Sequence, residues 1–210
     1  MMPVGKTRYS HCLAVVLTAC ASIGPLRCRA DQPEPFSGPR AFAHLQAICG
    51  LGARPSGSDA MVKQRAMLAE HFRAAGGTVS GQAFTIRDQR TGKPVHLENL
   101  IVEWHPGRRD RVLIGAHYDT RPFPARDPGD PKGTFVGAND GASGVALLME
   151  LARAMPALAG PVGVDFVLFD GEEYVFGQRD PYFLGSTFFA RQYAAAQQAK
   201  PPQAHRYRCG

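Results

Sequence analysis

The stretch Val162–Ser186, VGVDFVLFDGEEYVFGQRDPYFLGS, decides how this chain reads. From Val164 to Phe169 only Asp165 interrupts an apolar run of strand length. The run delivers Asp170, Gly171 and then two adjacent carboxylates, Glu172 and Glu173. Neighbouring carboxylates disfavour each other's ionised form unless a cation offsets the charge. The pair therefore points to a metal cation shared with other ligands.

Working outward, strands alternate with helices. Ala41 to Cys49 suits a short helix stopped by Gly50 and Gly52. Ser58 can cap a helix running to about Ala75, with Met61, Leu68 and Phe72 on one face. Thr78–Ile86 and Val95–Trp104 are expected as strands joined by the RDQRTGKP hairpin loop, and Arg111–His117 as a buried strand. A helix is expected over Gly141–Leu158, with Leu148, Leu151, Met155 and Leu158 on a buried face. A further helix should run from Phe183 to about Gln198, and Tyr207 to Gly210 can open another strand. This alternation predicts an α/β fold: three layers, with a mainly parallel twisted sheet between helices.

In open α/β sheets, sites gather at the carboxyl ends of strands. His117 and Asp119 end one strand, two residues apart and so on one face; Asp140, in GANDGASG, precedes a helix; Glu172 and Glu173 end the next strand. Imidazole and carboxylates suit zinc. With Glu173 on the metal, Glu172 is free as a general base and acid. Asp119 can orient His117 from behind. Each residue also has a plainer reading. Asp140 can serve as a helix N-cap, His117 as a core histidine, and the glutamates as a solvated turn.

Composition narrows the alternatives. The 210 residues and a 44% hydrophobic share suit one globular domain. The formal charge of +6 owes much to Lys6, Arg8, Arg27 and Arg29; without residues 1–30 there remain 20 basic and 18 acidic residues, which argues against nucleic acid. The run GRRDR, Gly107–Arg111, reads as a solvated turn. Lys6 and Arg8 precede the apolar stretch Leu13–Ile23, broken at Gly24-Pro25, as in a secretory signal. Residues 1–30 are thus expected to be an export signal, with cleavage near Ala30. Alternatively Leu17–Cys20 forms a lipobox, with a lipid anchor at Cys20. Residues 31–40 read as a proline-bearing linker and 41–210 as the catalytic domain. Cys49 and Cys209 are the cysteines outside the leader, and no Cys-x-x-Cys pair exists for a zinc ribbon or thioredoxin-type site. Nor is there a Gly-x-Ser-x-Gly elbow, a phosphate loop or His-Glu-x-x-His.

Together, GAHYDTRP, FVGANDGASGVALLMELAR and VLFDGEE resemble the twenty-eighth metallopeptidase family, which holds zinc aminopeptidases and glutaminyl-peptide cyclotransferases. The similarity runs from about Gly52 to Ala190 and includes RPSGS. The resemblance implies that Asp140 and Glu173 bind zinc, that Glu172 is the acid/base, and that His117 binds a second metal in the two-zinc aminopeptidases. One zinc is implied for a cyclotransferase. Ten residues separate Tyr174 from Gly185-Ser186, a longer insert than the aminopeptidases carry, so the cyclotransferase branch is the closer likeness. Tyr174, Phe176, Tyr182 and Phe183 either wall off a pocket or simply pack the loop. Peptide or protein N-termini are the implied substrate. The family also supplies a later histidine; His205, in a polar tail, is not assigned that role, and the domain is expected to be incomplete at its C-terminus. A truncated, non-catalytic relative is the competing class.

Overall fold

A computed structural model describes residues 35–177, 179–201 and 205–208. The expected leader, Cys20, the start of the linker and Cys209 lie outside the described residues.

Helix α1 spans Gly38–Cys49, with the Ser37 side chain accepting from the Arg40 N–H at 3.4 Å and Pro39 in the first turn. The proline that suggested a linker is at a position where a helix tolerates it, so the helix begins three residues earlier than expected. Arg40 and the Ser37 N–H then reach the buried Glu150, fastening this end to the domain. Helix α2, Asp59–Ala74, starts at Ser58, whose hydroxyl accepts from the Met61 N–H at 3.2 Å, and buries Met61, Leu68 and Phe72.

Strands β1 (Thr78–Arg87), β2 (Pro94–Trp104), β3 (Asp110–His117), β4 (Gly163–Phe169) and β5 (Arg206–Tyr207) form one sheet in the order β1-β2-β4-β3-β5. The α/β architecture is present, with a mixed sheet. β1–β2 and β2–β4 are antiparallel, whereas β4–β3 and β3–β5 are parallel. A short hairpin loop can join only antiparallel neighbours, which accounts for β1 and β2. The parallel part carries the candidate site.

β4 alternates between the two faces of the sheet. Val164, Phe166 and Leu168 join Leu100, Val102 and Trp104 in the core with α2 and with α3, Ser143–Leu151. Phe169 meets Phe189 of α4, Leu184–Gln198, on the opposite side at 5.8 Å between rings. Helices therefore cover both faces. The helix expected over Gly141–Leu158 is broken at each end: a π-turn covers Ala138–Ala142, and a 3-10 segment carrying Pro156 covers Ala152–Ala157. Proline forbids continued α-helical bonding there.

The charge inside the β4 run has a partner. Asp165 is 1% exposed and Arg111 0%; the Arg111 Nε donates to both Asp165 oxygens at 3.0 and 2.9 Å. GRRDR is therefore not wholly a solvated turn: Arg111 turns inward, and the Arg108 Nη1 donates to the Val162 carbonyl at 3.0 Å.

Candidate active site

Each part of the site comes from a strand end or a turn beside one. His117 closes β3, the pair Glu172-Glu173 follows β4, and Asp140 sits in the π-turn before α3. Asp140 is not a helix cap. Its backbone is non-helical, with φ −89° and ψ 98°, and no side chain caps α3. Gly141 makes this placement feasible. It has φ 95°, and a Cβ there would fall 2.9 Å from the Asp119 carbonyl oxygen and 3.0 Å from His117 Cε1.

The imidazole is the centre of the cluster. His117 Nε2 lies 3.1 Å from Asp140 Oδ1 and 3.9 Å from Glu172 Oε1. On the other side, His117 Nδ1 is 3.5 Å from Asp119 Oδ1, a charge contact longer than a good hydrogen bond. Asp119 is fully buried, and its two oxygens accept the backbone N–H groups of Glu172 at 3.1 Å and Glu173 at 2.9 Å. One carboxylate thus faces the histidine and holds the backbone of both glutamates. Burial works against a charged His117 ring, but Asp119, Glu172 and Asp140 outweigh it and raise its pKa to about 9. Burial raises Glu172 above the ordinary carboxylate range; His117 opposes this, while Asp119, Glu173 and Asp140 add to it.

Glu173 faces elsewhere. Its side chain is buried, and its carboxylate is ion-paired with the Arg121 guanidinium, whose Nη2 donates to the Tyr182 hydroxyl at 3.2 Å. Among the described residues no three His, Cys, Asp or Glu side chains are placed around one metal position. In donor chemistry the set does fit zinc, being one imidazole and two carboxylates. His205 lies exposed at the other end of β3, beside Glu103 at 3.2 Å, with a strand of 8 residues between it and His117.

Several residues of the site were not singled out by sequence reasoning. The RPSGS turn docks on the end of β3: the Arg54 N–H donates to Thr120 Oγ1 at 2.9 Å, and the Thr120 N–H donates to the Arg54 carbonyl at 3.1 Å. This sets the Ser56 hydroxyl 2.6 Å from Asp170 Oδ1 and 3.4 Å from Asp119 Oδ2. Asp170 Oδ2 also accepts from the Glu98 N–H at 2.9 Å. Asn99 links β4 to α4, its Oδ1 accepting from the Asp170 N–H at 3.0 Å and its Nδ2 donating to the Gly185 carbonyl at 2.9 Å. Asp119 and Asp170, just past strand ends, were the available signal, but only the fold shows that Ser56, from the turn before α2, and Asn99, within β2, meet them.

Asp170 carries a pH signature. Burial and the nearby Asp119 charge raise its pKa to about 7, against an ordinary value near 4. The unfolded chain releases this proton from about pH 4, while the folded chain keeps it to about pH 7. Its contribution is therefore fully present below about pH 4 and is lost as pH rises through about 7. Replacing Asp170 with Asn should flatten the stability profile over that window, a relative change of a few kcal/mol. Urea unfolding of both proteins at pH 5 and pH 8 measures it; an unchanged slope would exclude a protonated Asp170.

The sequence profile of peptidase family M28 matches residues 99–204. Over 152 residues the chain is 32% identical to the mouse glutaminyl-peptide cyclotransferase-like protein, covering 67% of this chain and 38% of that protein. The crystal structure of Fimbriiglobus ruber glutaminyl cyclase is similar with a TM-score of 0.78 and 39% identity, over 84% of this chain and 60% of that one. A leucine aminopeptidase precursor from Bacteroides thetaiotaomicron is similar with a TM-score of 0.70 and 27% identity, over 76% and 58%. The chain thus spans between about two-fifths and three-fifths of the length of these relatives. On the family profile, which matches half of its residues, this chain belongs to peptidase family M28.

Proposed function

We propose that this chain carries the acid/base part of a zinc enzyme that converts an N-terminal glutamine to pyroglutamate with release of ammonia. The observation that carries this reading is the placement of Glu172, 3.9 Å from His117 and fixed through its backbone by Asp119. The likeness to glutaminyl cyclases supports it.

In cyclisation, the substrate α-amine nitrogen bonds to the side-chain amide carbon and the bond from that carbon to the amide nitrogen breaks. Glu172 is positioned to take a proton from the α-amine and return it to the departing ammonia. Asp119 holds the Glu172 backbone and faces His117, so the base keeps its orientation through both transfers. Asp140 and Glu173 would hold zinc, and His117 would be the ligand of a second metal ion in the two-zinc aminopeptidase reading. When bound, the metal supplies Lewis-acid polarisation of the reacting carbonyl. For Glu173 to act as a ligand, its carboxylate must leave Arg121, and Tyr182 offers that guanidinium a second anchor.

An aminopeptidase is the second reading, in which Glu172 would instead accept a proton from water attacking the first peptide carbonyl. The open cavity of about 600 Å³ beside Arg121 and Asp140 favours it, because water has free access there. None of Tyr174, Phe176, Tyr182 and Phe183 lines this cavity: Phe183 is 53% exposed, and Tyr174 and Phe176 pack against each other at 5.0 Å beside the hairpin loop.

Export belongs to the same proposal, on the basic and apolar pattern of residues 1–30; among the described residues no helix is long and apolar enough to cross a membrane. Zinc per chain, ammonia release and peptide cleavage, measured together on a glutamine-led peptide, test the reading. Ammonia with an uncut peptide supports cyclisation. Cleavage without ammonia replaces it with the peptidase, and a zinc-loaded chain with neither activity overturns both.

A further inference from the structure

Outside the catalytic cluster, a cavity of about 120 Å³ lies between the β1–β2 hairpin loop and the insert after Glu173. Ile86, Tyr174, Phe176, Pro181 and Leu184 form the apolar part of its lining, and Arg87–Arg90 of the hairpin with Asp180 form the polar part. Neither the acid/base chemistry nor the zinc donors use it.

The cavity is built rather than incidental. The Tyr174 hydroxyl donates to Asp88 Oδ2 at 2.9 Å, which ties the insert to the hairpin. The Arg90 guanidinium lies 3.1 Å from the centre of the Phe176 ring. Asp88 in turn closes the hairpin, accepting from the Arg90 and Thr91 N–H groups at 2.7 and 3.2 Å. At the other end of the insert, Asp180 Oδ2 accepts from the Phe176 and Gly177 N–H groups at 2.7 and 2.9 Å.

The same walls are fastened to the reacting end of the molecule. The Phe183 N–H donates to the Glu172 carbonyl at 3.3 Å, and the Leu184 N–H to the Gly171 carbonyl at 3.1 Å. Tyr174 follows Glu173 directly. The cavity wall therefore runs directly on from the Glu172-Glu173 pair, and a bound peptide advances about 3.3–3.6 Å per residue.

We infer that this cavity is a subsite for an apolar side chain of the peptide substrate, one or two residues after its reacting N-terminal residue. Its occupant is set by size and lining. A dry apolar space of about 150 Å³ takes one benzene ring, so the apolar part of this partly open cavity of about 120 Å³ suits a side chain no larger than leucine. The charges around it are already engaged, Asp88 with Arg90, Arg87 with the Gly92 carbonyl and Asp180 with backbone N–H groups, so they favour no ionic partner. The substrate class is thus a glutamine-led peptide with leucine, isoleucine or valine next or next but one.

This inference rests on the proposed action at peptide N-termini, and its test separates the two. Turnover is measured for Gln-Gly-amide, Gln-Leu-amide and Gln-Gly-Leu-amide, on the native protein and on Ile86→Phe. Methyl NMR signals of Ile86 and Leu184 are followed during titration with the same peptides. The subsite predicts a kcat/KM about tenfold higher for one leucine peptide than for Gln-Gly-amide, carried mainly by KM. Ile86→Phe should bring that ratio to about 1. Equal rates on all three peptides, with unmoved methyl signals, overturn the subsite while leaving the activity standing. Leucine-dependent methyl shifts without turnover keep the subsite and overturn the activity; no turnover and no shifts overturn both.

Discussion

Glu172→Gln is expected to lower turnover on glutamine-led peptides by about 10²–10⁴-fold, the usual contribution of a positioned acid/base. Glutamine keeps the size and shape of the side chain but can neither take the amine proton nor return one to ammonia. The effect should fall on kcat, because proton transfer belongs to the transition state and substrate binding does not require it. The fold should survive. It is the backbone N–H of Glu172, not its carboxylate, that Asp119 accepts, and this bond is untouched by the substitution. Zinc content should also hold, since Asp140, Glu173 and His117 are unchanged. Steady-state kinetics with metal analysis decide the matter. A variant that keeps its zinc and a rate within a fewfold of the native protein would remove Glu172 from the chemistry, and the proposed function with it.

The convergence of His117, Asp119, Asp140 and Glu172 was legible from their places at or just after strand ends, where open α/β sheets gather their sites, whereas the turn of Glu173 toward Arg121 was not. Less readable was anything that depends on which strand lies beside which. The sheet is mixed because β2 pairs with both β1 and β4, a tertiary choice that a run of apolar residues does not record. Arg121 could not be foreseen as the partner of Glu173, since 52 positions separate them in the chain and nothing in the local pattern joins them. Ser56 and Asp170, 114 positions apart, are in the same case. Local chemistry misled in two places. Pro39 suggested a linker where it occupies a first helical turn, and Arg111 was grouped with a solvated basic run although its guanidinium is buried.

Arg111 gives the largest expected effect on stability. Its side chain is fully buried between β3 and β4. Besides the two bonds from Nε to Asp165, Nη1 donates to the His105 and Arg108 carbonyls at 3.1 and 3.2 Å, and Nη2 to the Trp104 and Val164 carbonyls at 3.0 and 3.2 Å. Among the described residues Asp165 has one other side-chain partner, the Tyr207 hydroxyl at 2.8 Å, which links β5 to the sheet. Arg111→Met keeps most of the volume but leaves a buried carboxylate with that single donor and several carbonyls unpaired. The expected loss is about 3–5 kcal/mol, the cost of removing one partner from a buried ion pair. For a domain of this size that is a fall of roughly 10–15 °C in melting temperature. Removing both charges is different in kind. A buried pair returns little net stability once its desolvation is counted, so Arg111→Met combined with Asp165→Leu should recover the part of the loss due to the unpaired carboxylate, while the four carbonyls still lack their donor. Thermal and urea unfolding of the native protein, the single and the double variant form the test. If Arg111→Met alone costs under about 1 kcal/mol, the carboxylate is solvated or protonated in the folded chain, and the pair does not clamp β3 to β4.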